Sequence, residues 1–171
     1  MGSAVLGAGT GALAAGWWPQ VGVHIMLLVL TIGVGVAAAV VDLREHRLPD
    51  RLTWPYAAAA AGMVAAAAVV GTRIDLVVDA VLGAMATAGT LYVLALFASM
   101  GWGDVKYGLG LGVCAGAVAV SAAAVLPVVA MLLAAPVAVV VWVRHGASAR
   151  LPMGPALAAA GSLSCLGFFL P

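Results

Sequence analysis

The chain has 171 residues, 65% of them hydrophobic and 8% charged, with a mean hydropathy of +1.21, which is too apolar for a water-soluble domain. At about 20 residues per spanning helix this length admits six or seven crossings and leaves little for a second, soluble domain. The net charge of +1 and the lack of any basic run argue against a nucleic-acid partner, and no alternating barrel pattern is present, so an all-α, polytopic membrane protein is expected.

Residues 1–18 carry five glycines and no charged side chain, and are expected as a tail or a weak extra N-terminal helix ahead of a membrane domain over 19–171. The lack of a basic n-region argues against a cleavable signal peptide. Long apolar runs then predict six transmembrane helices, over 21–41, 56–71, 76–99, 107–120, 122–143 and 155–170. The second is short and rich in alanine, so it is expected to gain length from residues 52–55. The fourth and fifth are nearly continuous; their turn is expected near Ser121, with Pro127 as the alternative. Arg44, Arg47, Arg51, Lys106, Arg144 and Arg150 fall in one set of loops and Arg73 alone in the other. The positive-inside tendency makes the first set cytoplasmic. Asp42, at the end of the first span, and Asp104, ahead of the fourth, then share the cytoplasmic face.

Six charged side chains crowd into "DLREHRLPDR", directly after the first apolar run. A carboxylate held at a membrane boundary is costly unless solvated, paired or protonated, which makes Asp42 and Asp104 functional candidates. As a plain N-cap Asp104 would be unremarkable; at a helix C-terminus the charge of Asp42 opposes the macrodipole. Two neighbouring carboxylates cannot both ionise, so one remains an acid while the other is a base. Such a pair can activate water and polarise a carbonyl, as peptide hydrolysis without a covalent intermediate requires. Gly101 and Gly103, in "GWGDVK", would let backbone and a substrate strand approach Asp104 closely.

These residues also carry a resemblance. "DLREHRLPD", with Asp42 followed by Pro49 and Asp50, resembles the first aspartate motif of the type IV prepilin peptidases; "GWGDVK" is similar to their GxGD signature; "LPMGPALAAAG" at 151–161 is similar to their C-terminal motif. The resemblance runs from about residue 21 to the end of the chain. It implies a membrane aspartic endopeptidase, multi-pass in the bacterial cytoplasmic membrane. Such an enzyme removes the basic leader of prepilins or pseudopilins at the cytoplasmic face, with Asp42 and Asp104 as its catalytic pair and no cofactor. It also implies an active-site loop over 42–54, in which Pro49 stops the first helix and Trp54 with Pro55 marks the interface and the next helix start. Glu45 and Asp50 are candidates for contact with the basic leader, although a solvated loop face explains them as well. Larger family members add a methyltransferase domain with two CxxC pairs; this chain has two cysteines in all and resembles the short, protease-only form.

Other features need less. Lys106 can lower the pKa of Asp104, hold a substrate carbonyl, or simply mark topology. Asp75, Asp79 and His24 belong to the outer side. His46 and His145 lack metal-ligand spacing, so no metal site is expected. Cys114 and Cys165 read as isolated, small buried side chains. Asp104, Gly108, Gly112 and Gly116 recur every four residues, a stripe expected to pack on the span ending at Asp42 through Gly33 and Ala37. A transporter or channel subunit, and a pilus-assembly protein that binds without cutting, are the competing functions.

Overall fold

The computed structural model describes residues 4–45, 48–98, 100–146 and 152–167, and the side chains among them from residue 21 onward except those of residues 98 and 145. Its helices are α1 (Ala4–Glu45), α2 (Asp50–Gly71), α3 (Ile74–Ala98), α4 (Trp102–Val118), α5 (Val120–His145) and α6 (Gly154–Leu166). Four stretches, Val21–Glu45, Asp50–Gly71, Ile74–Phe97 and Val120–Arg144, are long and apolar enough to cross a membrane. Of residues 1–18, expected as a tail or separate weak helix, residues 4–18 belong to α1 without a break.

Several expected boundaries move. The segment between α1 and α2 is shorter than the expected loop, because α1 continues through Glu45 and α2 opens at Asp50. Pro49 is the N-cap of α2, extended at φ −74°, ψ 143°, and its carbonyl accepts from Leu52 and Thr53 at 3.0 and 3.3 Å. Pro55 therefore lies inside α2 and does not open it. The α4–α5 turn falls on Ala119, extended at φ −165° and ψ 138°, instead of on Ser121, and Pro127 is interior to α5. One extended residue suffices because its N–H still bonds the Ala115 carbonyl at 2.9 Å.

Helix α1 shows how the bundle is sorted. His24, Leu27, Thr31, Gly35, Ala38 and Asp42 are buried, a stripe with steps of three or four residues. Its other face presents Ile32, Val36, Val40 and Leu43, all large, apolar and exposed. An apolar exterior of this kind is what lipid solvates and water does not.

Helix α4 is the central element, with Leu111, Cys114 and Ala115 wholly buried and glycines on several sides. Here the glycine stripe departs from expectation. Its partner is α3: a Cβ on Gly112 would lie 2.6 Å from the Gly83 carbonyl oxygen and 2.7 Å from Ala84 Cα, and one on Gly116 2.5 Å from the Asp79 carbonyl oxygen. Gly108 likewise abuts Leu91, whereas a Cβ on Gly33 would meet nothing within 4 Å. The repeat marked a close-packed face correctly but did not carry the identity of the facing helix, because any small surface admits a backbone.

The two cysteines are buried as expected but not isolated. Thr31 Oγ1 lies 3.0 Å from the Tyr56 hydroxyl and 3.8 Å from Cys165 Sγ, and the Tyr56 hydroxyl lies 3.5 Å from Cys114 Sγ. This polar knot ties α1, α2, α4 and α6 together where no water is at hand, which gives each hydroxyl and thiol a partner.

Candidate active site

One end of the bundle gathers the close of α1 and the starts of α2, α4 and α6. Asp42 stands in the last turn of α1, 5% exposed, where its negative charge faces the carbonyl end of its own helix. A second helix compensates. The amide of Gly154, first residue of α6, donates to Asp42 Oδ2 at 2.8 Å, so the carboxylate sits on a helix N-terminus, where unpaired N–H groups and the dipole favour an anion. Only glycine fits at 154: a Cβ there would lie 2.9 Å from both Oδ2 and Cβ of Asp42.

Asp104 is the third residue of α4, ahead of the apolar stretch that begins at Tyr107. The cap is Gly101, which accepts the Asp104 N–H at 3.0 Å, so Asp104 is not the N-cap the simple alternative required. Its carboxyl is buried, with 9% of the residue exposed. Burial raises its pKa to about 7, the charge of Asp42 adds to the rise, and a backbone hydrogen bond with Gly101 opposes it. A Cβ on Gly101 would come within 3.2 Å of Asp104 Oδ2. The two aspartates, 62 residues apart in sequence, thus lie near enough for the charge of one to act on the other.

Gly103 serves the neighbouring segment. A Cβ there would lie 2.8 Å from the Leu48 carbonyl oxygen and 2.9 Å from Leu48 Cβ, so its absence lets the stretch before Pro49 cross the start of α4. Lys106 does not reach Asp104. Its Nζ bonds Asp50 Oδ1 at 2.6 Å, the two side chains being 34% and 61% exposed. Such a pair adds little stability, yet it links the first turns of α2 and α4. Glu45 is exposed at the end of α1, and His46 and Arg47 lie outside the described residues. At the opposite end His24 Nε2 lies 3.2 Å from the Ala117 carbonyl oxygen, and Arg73 pairs with Asp75. Among the described residues no group of three or more His, Cys, Asp and Glu side chains is placed to hold a metal ion.

Sequence reasoning assigned no role to Gly154, although the motif that contains it was visible. What could have marked it is the "MGP" step, a glycine beside the proline that opens a helix. The buried hydroxyls of Thr31, Tyr56 and Tyr107 gave no signal at all, since each is an ordinary residue in an apolar helix.

A membrane-embedded helical bundle with paired, buried carboxylates at one end has the makings of a hydrolytic site. Residues 27–143 match the model of the type IV leader peptidase family. The chain belongs to that family, and is a multi-pass membrane protein of the peptidase class. The matched stretch includes Asp42 and Asp104; Gly154 lies beyond it. No curated protein and no solved structure matches the chain.

Proposed function

We propose that the protein is a membrane aspartic endopeptidase that removes the basic leader peptide of prepilins or pseudopilins. What supports this reading is that Asp42 and Asp104, both buried, stand at the same end of the bundle, where the charge of Asp42 adds to the rise that burial imposes on Asp104. Asp104 holds the shared proton and Asp42 the negative charge. Water between them loses a proton to Asp42 as its oxygen bonds the scissile carbonyl carbon, while Asp104 delivers its proton to the carbonyl oxygen. The resulting diol collapses with cleavage of the C–N bond as the amide nitrogen takes the proton held by Asp42. The products are a carboxylic acid and an amine, and the last diol proton restores Asp104.

Family membership supports the peptidase chemistry; the charge pattern supports the setting. Arg44, Arg51, Lys106 and Arg144 belong to the Asp42 end of the bundle and Arg73 to the other, so the site faces the cytoplasm. In this reading α4, from Tyr107 onward, and α6 complete six crossings, with Asp104 ahead of the fourth at the membrane face. Glu45 and Asp50, both exposed at that face, suit a leader rich in lysine and arginine.

The test separates cutting from holding. Asp42→Asn and Asp104→Asn proteins should still retain, on co-purification, a designed substrate with a Lys- and Arg-rich leader, a glycine before the cut and an apolar helix after it, and should leave it intact. Cleavage at the parental rate by either variant would exclude the pair as the catalytic groups.

A further inference from the structure

A groove of about 260 Å³ opens sideways between α1 and α6, lined on α1 by Gly35, Val36 and Ala39 and on α6 by Pro155, Ala159 and Ser162. One end of it, at Ala39 and Pro155, adjoins the candidate site. Ala39 precedes Asp42 by one helical turn, and Pro155 follows the glycine whose amide holds the Asp42 carboxylate at 2.8 Å. From Ile32 to Ala39 the groove follows α1 for about 10 Å. Its floor is shaped by close approach: a Cβ on Gly35 would lie 3.0 Å from Ala158 Cβ, so the α1–α6 seam is as tight as it can be beneath the groove.

We infer that this groove seats the first turns of the substrate's apolar helix, the segment that follows the scissile bond, and so sets which proteins are cut. The inference rests on the peptidase reading and names the surface that would hold its substrate. A bond cut at Asp42 leaves the following residues to run from the membrane face into the bilayer, parallel to α6 and antiparallel to α1. The groove begins beside that carboxylate, at Ala39 and Pro155, and takes that direction. Small side chains on both walls let a third helix approach to van der Waals contact, the main source of helix association in lipid. The exposed Glu45 lies at the same end, where a basic leader would emerge.

A larger cleft, of about 420 Å³, lies between α2 and α3 over Leu109 and Val113 of α4. It does not share this relation to the site. Leu109 lies five residues beyond Asp104, which places it about 140° round the helix, so that cleft faces away from the carboxylates and provides the internal control.

The experiment uses the full chain in vesicles with the designed substrate described above. Ala159→Trp fills the α1–α6 groove from the exposed side of α6, and Ala65→Trp fills the other cleft. The expected result is a rise of about tenfold in KM with kcat little changed for Ala159→Trp, and no change for Ala65→Trp. A short soluble peptide spanning only leader and cut site should be hydrolysed equally by all three proteins. A photo-reactive benzophenone residue in place of Val36, which is 61% exposed, should form an adduct with the designed substrate. Adducts with lipid only, or with a second copy of the chain, would overturn the groove assignment, as would an unchanged KM for Ala159→Trp. The cross-linking arm does not depend on turnover: an adduct without cleavage keeps the groove and removes the peptidase reading, whereas cleavage without an adduct does the reverse.

Discussion

Asp42 stands where its own helix least favours a carboxylate, and the molecule answers by bringing the amide of Gly154 to it at 2.8 Å. The contact depends on a missing side chain. Gly154→Ala places a Cβ 2.9 Å from Oδ2, so either the carboxylate or α6 must yield. A displacement of about 1 Å at a reacting group costs on the order of a hundredfold in rate. A fall of that size in kcat is the expected outcome, with membrane accumulation unchanged. Asp104 makes a second prediction, since it holds its proton up to about pH 7 because of burial first and the charge of Asp42 second. As the proposed acid of the pair it must be protonated to act, so kcat/KM should decline as pH rises through about 7. A pH–rate profile that instead climbs through that value to a plateau would reverse the assignment of acid and base. At this scale the sequence was informative about chemistry and silent about support. The aspartates stood out as charges at the edges of apolar runs, while Lys106, which reads as a partner for Asp104, is taken by Asp50. Two residues of separation along a helix do not bring side chains onto one face.

The helices were legible as apolar runs, and their errors have local causes. Pro55 reads as a helix start, yet α2 opens five residues earlier because Pro49 already provides the extended cap and Asp50 suits the first turn. Ser121 and Pro127 read as turn signals, whereas the break falls at Ala119, where a single extended residue redirects the chain and proline is absorbed within α5. The glycine repeat of α4 was legible as a packing face, but its partner was not, since the pairing of helices is decided by where every other face can go. The measurable consequence concerns Gly112 and Gly33. Gly112→Ala forces a methyl within 2.6 Å of the Gly83 carbonyl oxygen, a backbone contact that cannot rotate away, so a loss of about 2 kcal/mol is expected. Gly33→Ala enters open space and should be neutral or slightly stabilising. Thermal unfolding of the two variants in the same detergent checks the contrast; equal midpoints would mean that the α3–α4 seam does not hold the bundle.

For the molecule as a whole, composition points to lipid as the solvent before any element is placed, and the basic residues predict a direction. The cytoplasmic assignment of the aspartate end is tested by labelling. With Cys114 and Cys165 left in place, at 0% and 2% exposure, a cysteine at Thr72 should react with an impermeant thiol reagent outside intact cells and one at Arg44 should not. The reverse pattern would put the site out of reach of a cytoplasmic leader. What the sequence could not supply is the convergence of four helix ends, since Asp42 meets Gly154 and Leu48 meets Gly103 across long stretches of intervening chain. The proposed mechanism makes the two carboxylates a catalytic unit, and a unit fails as one. Turnover of the designed substrate by Asp42→Asn, Asp104→Asn and the double variant, in one vesicle preparation, tests this most directly. Each single variant should lose at least about 10²- to 10⁴-fold, the range of acid–base catalysis, and the double variant should lose no more than the worse single one. A single variant that keeps near-parental turnover, or a double variant whose loss is the product of the two, would contradict a shared catalytic pair.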